Sequence, residues 1–293
     1  MNYKEKIITY IIRCPIIRSI ISDRLAISVL YRCRFEKKMD WNSPKTFSEK
    51  ILWLTVNNRK KEYTKMVDKC EMKEFIKGKI GDGHTPKTLA CDTDISKISF
   101  GKLPSHYVLK CNHDSGSVVI CHERKPSTNE IKMLSHNLKK NYFWFSREWP
   151  YKNIKRKIFV EEYIETEGIF KDYKVYCFNG RPGFCAVISK EKGEKRLSYY
   201  DLQWEKIPVK HRYENHTVLE KKPIYFEEML RIASILSKDI PFLRVDMYID
   251  IRGNIIIGEL TFAPSSGLIR YEPSEYDEKW GDMLDLSDYM CKA

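Results

Sequence analysis

Two segments near the C-terminus mix apolar and polar residues in the pattern that is typical of β-strands. The first segment, the turn that follows it and the second segment are residues 242–250, 251–254 and 255–261. Alternate side chains of a strand share one face, so Arg244 and Asp246 are predicted to project together. Glu259 and Thr261 do the same in the second segment. A hairpin of the two strands would collect a guanidinium, two carboxylates and a hydroxyl in one small volume.

The same reasoning predicts the other elements along the chain. Thr46 and Glu49 have the spacing of a capping box and precede an apolar run, so a helix should begin there. Further helices are predicted at 62–77 (ending at Gly78), 129–142 and 224–238. Strands are predicted at 107–111, 118–121, 158–164, 173–178, 183–189 and 197–204, with a solvent-presented glycine loop at 112–117. The class is therefore α+β or α/β, and the C-terminal half is rich in antiparallel strands.

The N-terminal residues 7–31 are strongly apolar, but charged residues interrupt them at 13, 18, 23 and 24. The run is thus too short for a membrane-spanning helix, and no small-residue cleavage site of a signal peptide follows it. Two interpretations remain open. The favoured one is a pair of short helices around Pro15 that covers the core. The other is an Arg-bearing amphipathic segment on the anionic inner face of a membrane.

Charge and cysteine content limit the partners. The net charge of +12 favours anionic ligands, yet the chain has no Cys/His finger, no RNP-like strand and no dense Lys/Arg block. Nucleic acid is therefore not expected as a partner. None of the nine cysteines forms a CxxC pair, and several lie in apolar runs. This usage predicts buried free thiols, no zinc site and a cytoplasmic protein.

The two acidic residues of the C-terminal hairpin suggest a metal. Asp246 and Glu259 lie in strands that are otherwise rich in Val, Ile and Met, and burying such carboxylates is costly unless a cation neutralises them. Hard oxygen ligands suit Mg²⁺, which proteins usually hold with one or two carboxylates and substrate phosphates. The alternative is a hairpin whose charged face lies in water.

The order of these motifs resembles the ATP-grasp fold, and in particular the TupA-like ATP-grasp proteins of bacterial capsule and surface polysaccharide loci. The motifs are Lys110, His113–Ser117, Phe159–Ile164, Asp172–Lys174, Arg244 with Asp246, and Glu259 with Thr261, preceded by Trp41–Trp53, Val67–Lys69 and Leu103–Pro104. The similarity covers roughly residues 38–285. It implies an α+β fold with antiparallel-rich sheets and a nucleotide cleft between two subdomains. The expected divisions are 1–37 (apolar, basic and helical), 38–105 (α-rich), 106–164 (first lobe) and 165–285 (second lobe).

The resemblance also implies roles for individual residues. Arg244 and Lys174 would be catalytic, and Asp246, Glu259 and Thr261 would hold Mg²⁺. The residues expected to bind ATP are Lys69, Lys110, Asp114, Ser115, Gly116, Ser117, Glu161, Glu162, Tyr163, Ile164, Glu167 and Lys174, with Glu165 as an alternative to Glu167 at the ribose. Thr261 departs from the family pattern, which usually has Asn there. Ser265 and Ser266 lie where the acceptor substrate would approach.

The activity implied is that of an ATP-dependent carboxylate–amine ligase working through an acyl phosphate. In surface polysaccharide synthesis, a uronic acid would supply the carboxylate and an amino acid or other amine would attack it. The alternatives are a glycosyltransferase, for which Asp92-Thr-Asp94 is the best metal-binding match, and a sugar kinase on the same fold. A non-catalytic nucleotide-binding protein is a third class, and the full charged set argues against it.

Overall fold

The computed structural model describes residues 3–290, and the side chains of 6–290; Cys291 lies outside this range. The helices are α1 (Tyr3–Arg13), α2 (Pro15–Ile20), α3 (Asp23–Phe35), α4 (Phe47–Asn57), α5 (Glu62–Val67), α6 (Glu71–Ile80), α7 (Thr128–Leu138), α8 (Phe143–Ser146), α9 (Phe226–Ser237), α10 (Glu275–Asp282) and α11 (Ser287–Met290). The strands are β1 (Thr88–Asp92), β2 (His106–Cys111), β3 (Val118–His122), β4 (Ile158–Glu162), β5 (Asp172–Phe178), β6 (Arg181–Glu191), β7 (Glu194–Tyr200), β8 (Lys206–Ile207), β9 (Phe242–Ile249) and β10 (Ile255–Thr261).

The strands form two sheets. The smaller sheet has the order β1-β4-β2-β3, and the larger has the order β10-β9-β5-β6-β7-β8. Every pair of neighbouring strands in both sheets is antiparallel. The prediction of an α+β fold with antiparallel-rich sheets is confirmed.

The larger sheet is buried on both faces, and this determines which side chains reach the site. On β5, Tyr176 and Phe178 join an aromatic cluster with residues of α4 and α10, whereas Val175 and Cys177 pack on the opposite face beneath α9. Because side chains alternate along a strand, Lys174 projects from the aromatic face. Each buried large apolar side chain stabilises this packing by about 1.5–3 kcal/mol, so the orientation of the strand is firmly fixed.

The predicted capping box and N-terminal helices are present. The Thr46 side chain accepts a hydrogen bond from the Glu49 amide, while the Glu49 carboxylate accepts one from the Thr46 amide, so both bonds of the box form. Helices α1 and α2 meet at Pro15, as expected, but α2 buries no residue and does not cover the core; α3, which follows, packs Ile27 and Tyr31 into it. Among residues 3–290, no helix combines the length and apolar character needed to cross a bilayer.

Three sequence expectations were wrong. The helix predicted at 62–77 is broken between α5 and α6, because Asp68 leaves helical geometry and its carboxylate accepts a hydrogen bond from the Cys70 amide (2.9 Å). Strand β1 was not predicted, although it pairs with β4 and extends the smaller sheet. The 112–117 loop is only partly exposed, since His113 and Ser117 in it are buried. The helices predicted at 129–142 and 224–238 form as α7 and α9, with shorter ends.

Candidate active site

A row of charged side chains crosses the centre of the larger sheet. In the strand register, Lys174 of β5 lies opposite Asp246 of β9, and Asp246 lies opposite Glu259 of β10. A bulge in β10 between Ile257 and Glu259 adjusts the register at this point. The hairpin predicted at 242–261 therefore forms, and it places the two acidic residues on adjacent strands.

Asp246 is the centre of this charged row. It accepts two hydrogen bonds from Arg244, from Nε to Oδ1 (2.6 Å) and from Nη2 to Oδ2 (2.7 Å), and a third from Lys174 Nζ. Lys174 also pairs with Asp172 (2.6 Å), and Arg244 Nη2 donates to Thr261 Oγ1 (3.1 Å). Burial opposes ionisation of Asp246, but the two cations outweigh it and hold the pKa of the carboxyl below its usual range. Asp246 is thus a carboxylate whose charge is already compensated by the protein.

The break between α5 and α6 positions Lys69 between the two sheets. The Lys69 amide donates to the carbonyl of Asn112 (3.0 Å), and its Nζ donates to the carbonyl of Asp114 (2.6 Å). The same ammonium lies 3.8 Å from Glu259 Oε1. Lys69 therefore connects the glycine loop of the smaller sheet to the acidic pair of the larger sheet.

The glycine loop itself is held by short-range contacts. Ser117 Oγ donates to Asp114 Oδ2, and Asn137 of α7 donates to Ser117 Oγ (3.0 Å). Gly116 has φ 111°, in the left-handed region where a side chain would be strained. Ser115 and Gly116 are exposed, so their backbone N–H groups are accessible to an anion.

The segment expected to bind adenine lies at the end of β4. Lys110 pairs with the buried Glu161, and Lys73 of α6 reaches the other oxygen of the same carboxylate at 3.0 Å. Glu162 Oε1 accepts a hydrogen bond from the Lys87 amide (2.8 Å), and the Tyr163 ring packs edge-on against His122. Lys110 and Glu161 thus form a second ionic cluster beside the charged row.

The remaining two nucleotide candidates of this segment are more peripheral. Ile164 is half-buried just after β4. Glu167 is exposed and lines a separate cavity of about 490 Å³ with Tyr225 and Asp250. The structure therefore places Glu167 apart from the charged row, and its ribose contact stays a prediction.

A cavity of about 370 Å³ opens above the charged row, and we call it the central cavity. Its lining includes Lys174, Arg244, Glu259, Thr261, Ser115, Tyr142, Glu148, Lys195, His211, Arg212, Ser265 and Ser266. Both Ser265 (φ 47°) and Ser266 (φ 58°) adopt left-handed backbone geometry, a kind of strain that is common at functional sites.

Sequence reasoning missed Glu148, which is buried in the wall of this cavity and accepts a hydrogen bond from Ser266 Oγ (3.2 Å). Burial raises the pKa of Glu148 to about 8, with a further contribution from the nearby charge of Glu259. Glu148 is 118 residues from Ser266 along the chain, so no local pattern reveals the contact. In the sequence, the adjacent Trp149-Pro150 indicates a boundary between elements, which gives no reason to expect a site residue at Glu148.

Sequence reasoning also missed the basic side of the cavity, formed by Lys195, His211 and Arg212. The His211 ring shares a hydrogen bond with Tyr199 Oη (2.7 Å). Burial, together with the charges of Arg212 and Arg244, lowers the pKa of His211 to about 4. The imidazole is therefore neutral at physiological pH, and the positive charge on this side comes from the lysine and the arginine.

The oxygen donors fit a divalent cation only if a ligand supplies further contacts. Asp246 and Glu259 are neighbours in register, and Thr261 adds a hydroxyl on the same strand. Within residues 3–290, no group of three or more His, Cys, Asp or Glu side chains is arranged to hold a metal ion. Proteins usually contribute one or two carboxylates to a Mg²⁺ site, and phosphates and water complete the coordination. The donor set therefore fits Mg²⁺ bound together with a nucleotide.

One known protein family matches most of this chain. A family profile described as TupA-like ATPgrasp matches residues 49–285. Comparison with the curated proteins found no match.

Several solved structures share parts of the architecture. The D-alanine–D-alanine ligase of Bacillus anthracis, complexed with ATP, is 16% identical over 78% of this chain and 66% of its own, with a TM-score of 0.45. An L-amino acid ligase of Bacillus licheniformis is 13% identical over 84% and 57%, with a TM-score of 0.48. The ATP-grasp ligase PsnB, complexed with a precursor variant, Mg and ADP, is 11% identical over 70% and 52%, with a TM-score of 0.41. This chain thus spans about half to two thirds of their lengths, and the similarity is one of fold alone.

Proposed function

The chain belongs to the TupA-like ATP-grasp family, and from that premise we propose that it is an ATP-dependent ligase that joins a carboxylate to an amine. The observation that carries the proposal is the bonded cluster of Lys174, Arg244, Asp246 and Thr261 at the floor of the central cavity. Phosphoryl transfer depends mainly on positioning and charge neutralisation, and this cluster offers two cations and an acid in fixed geometry.

The ATP phosphates would lie between the glycine loop and the charged row. Lys69 and the N–H groups of Ser115 and Gly116 line the approach from the smaller sheet, and Lys174 lies on the larger one. Bound Mg²⁺, held by Asp246, Glu259 and Thr261, would supply charge neutralisation at the phosphates. Lys110, which pairs with Glu161, would contact phosphate oxygens on the other side of the glycine loop.

The first half-reaction transfers the γ-phosphoryl group to a substrate carboxylate. A carboxylate oxygen forms the new P–O bond, the bond between the γ-phosphorus and the bridging oxygen breaks, and ADP leaves. Arg244 is suited to hold the phosphoryl or acyl oxygens through Nη1, because its Nε and Nη2 donate to Asp246 and Thr261. Those contacts fix the orientation of the guanidinium.

In the second half-reaction the amine attacks the acyl carbon and inorganic phosphate leaves. The new amide nitrogen must lose a proton, and Glu148 would receive it. A general base works best when its pKa is near the working pH, and a pKa of about 8 meets that condition. Ser266, bonded to Glu148, would hold the carboxylate toward the central cavity.

For the carboxylate substrate we propose a uronic acid of a surface polysaccharide or its precursor, and for the amine an amino acid. The basic wall formed by Lys195 and Arg212, and the net charge of +12, favour an acidic sugar over a neutral one. Buried free thiols at Cys111, Cys121, Cys177 and Cys185 are consistent with work in the reducing cytoplasm.

Contact with the inner membrane face is part of the same proposal. Helices α1 and α2 expose Tyr10 (80%), Ile16 (74%) and Ile20 (78%), with Arg13 and Arg18 between them. The exposed apolar side chains of these helices are complementary to a lipid surface, whereas the Arg13 and Arg18 side chains lie against Phe145 and Trp144. An acceptor attached to lipid would then be presented next to the site.

The test is to incubate the protein with Mg-ATP, glucuronic acid and a set of amino acids while measuring ADP and phosphate. Hydroxylamine should trap the acyl phosphate as a hydroxamate, and Lys174→Ala should abolish trapping. AMP and pyrophosphate as products would contradict the mechanism, and a stable sugar phosphate without amide would indicate a kinase. Hydrolysis of a nucleotide sugar in place of ATP would indicate a glycosyltransferase. Against that last activity, the Asp92 and Asp94 carboxylates accept bonds from the backbone of their own turn.

A further inference from the structure

A second cavity, of about 840 Å³, lies on the outer side of the glycine loop, and we call it the basic cavity. Five cationic side chains line it: Arg13, Arg18, Lys139, Lys140 and Arg156. They come from α1, α2, the end of α7 and the segment before β4, so the cavity is assembled from four separate parts of the chain.

Three of the five cations donate hydrogen bonds to neutral groups. Arg156 Nη1 donates to the carbonyl of Lys139 (2.6 Å), and Lys140 Nζ donates to Asn137 Oδ1 (2.9 Å). Arg13 Nε donates to the carbonyl of Phe145 (3.2 Å). In the part of the chain that the structure describes, none of the five forms an ion pair with a carboxylate. Their charge is therefore available to a ligand.

The one acidic residue among the described residues that line the basic cavity is Asp114. Its carboxylate accepts a hydrogen bond from Ser117, and its Oδ1 is buried. One carboxylate against five cations leaves an excess of positive charge, and like charges around a concave surface concentrate an attractive field for polyanions.

The aromatic residues of the cavity argue against a nucleic acid strand as the ligand. The guanidinium of Arg13 lies 3.5 Å from the centre of the Phe145 ring, and that of Arg18 lies 5.4 Å from Trp144. A face of each ring is already covered by an arginine, which leaves less ring surface for stacking bases. A compact anion with several oxygens suits the arrangement better.

The basic cavity adjoins the central cavity, since Ser115 and Tyr142 line both. A ligand anchored by its anionic part in the basic cavity can thus extend its other end past Ser115 to Lys174 and Arg244. The anchor must carry several charges, and the part that extends must carry the reacting carboxylate.

From this geometry we infer that the basic cavity binds the diphosphate of a glycosyl diphosphate, whose uronic acid then enters the central cavity. The negative charge of two phosphates is complementary to five cationic groups. An arginine can donate two parallel hydrogen bonds to a phosphate, and a lysine adds a point charge. The inference rests on the proposed function for the role of the sugar, but not for binding of the diphosphate. The carrier beyond the diphosphate is either a nucleoside or a prenyl chain.

Calorimetric titration of the full chain without ATP tests the inference with two probes: uridine diphosphate–glucuronic acid and a short prenyl diphosphate–glucuronic acid. At least one should bind, and binding should weaken as salt is raised. Arg18→Gln and Arg156→Gln should each weaken binding about tenfold, the effect expected for losing a charged hydrogen bond. Arg231→Gln, on the exposed surface of α9, is the matched control and should have no effect.

The outcomes separate the possible ligands. Binding of one probe alone identifies the carrier as nucleoside or prenyl chain, and both results support the inference. Glucuronic acid 1-phosphate should bind at least tenfold more weakly, since it offers one phosphate. Equal binding of the monophosphate, displacement of the probes by Mg-ATP, or unchanged affinity in both arginine variants would each overturn it.

Thermal melting of each variant checks that the fold is retained, and Arg156→Lys, which keeps the charge but loses the fork, should give an intermediate affinity. Because binding of the probes is measured without catalytic turnover, diphosphate binding without any ligase activity would reject the proposed function and leave this inference standing.

Discussion

Glu148 offers a direct test of how the protein holds a buried acid, through the variant Glu148→Gln. The pKa of this carboxyl is raised from 4.5 to about 8, chiefly by burial. The native state therefore binds the proton more tightly than the unfolded state does. As pH rises from 4.5 to about 8, the native protein must either keep the proton or bury a charge, so the free energy of unfolding falls across that range.

The size of this effect follows from the shift. A difference of about 3.5 pH units, from 4.5 to about 8, corresponds to about 5 kcal/mol when the group is fully ionised, at 1.36 kcal/mol per unit. At pH 7 the same calculation gives about 3 kcal/mol. Glutamine has nearly the same shape and does not titrate. The stability of Glu148→Gln relative to the parent should therefore increase by several kcal/mol between about pH 4.5 and pH 9.

Urea unfolding of both proteins at about pH 5, 7 and 9 measures this difference directly. Groups that do not interact with Glu148 titrate equally in the two proteins and cancel, and any constant cost of the amide at Ser266 appears as an offset that does not vary with pH. Glu205→Gln, at an exposed position, is the control, because an exposed carboxyl is solvated in both states. The reasoning is refuted if the stability of Glu148→Gln relative to the parent, measured as the free energy of unfolding, does not change with pH or falls as pH rises.

Three further predictions concern the charged row and the N-terminal surface. Asp246→Asn should abolish ADP release and also lower the melting temperature, because it removes the acid paired with Arg244 and leaves Lys174 with Asp172 alone, a loss of up to about 3–5 kcal/mol; a variant that melts like the parent would contradict this. Thr261→Val removes the hydroxyl that accepts from the guanidinium, so steady-state kinetics should show kcat reduced about tenfold. Replacing Ile16 and Ile20 together by Glu should prevent co-sedimentation with anionic vesicles, while Ile224→Glu, at a residue 87% exposed elsewhere, should not; equal losses would exclude the α1–α2 face.

Local patterns predicted the parts of the fold that depend on local chemistry. The capping box at Thr46 and the hairpin that carries Asp246 and Glu259 need only neighbouring residues, and both formed as predicted. The break at Asp68 did not follow from its neighbours. Its carboxylate also accepts a hydrogen bond from Asn112 (2.9 Å), 44 residues further on, and helix propensity carries no information about such a contact.

The same limit applies to the candidate site. Charged residues within strands could be predicted, because alternation places them on one face. Glu148 could not, since its environment is created by a distant serine and by burial that only the folded chain provides. The basic cavity could not be predicted either, because its lysines and arginines come from separate segments and no local pattern connects them.

The break between α5 and α6 has a consequence for how this region can change in evolution. Lys69 contacts the glycine loop, and Lys73, four residues later, contacts Glu161 at the other ionic cluster. The turn at residues 68–70 and the first turn of α6 thus set the distance between two contacts on different parts of the cleft. Inserting or deleting a single residue here would rotate the second lysine by about 100° away from its carboxylate. Substitution of the exposed Glu71 leaves both contacts in place, whereas a change of length would disconnect one of them.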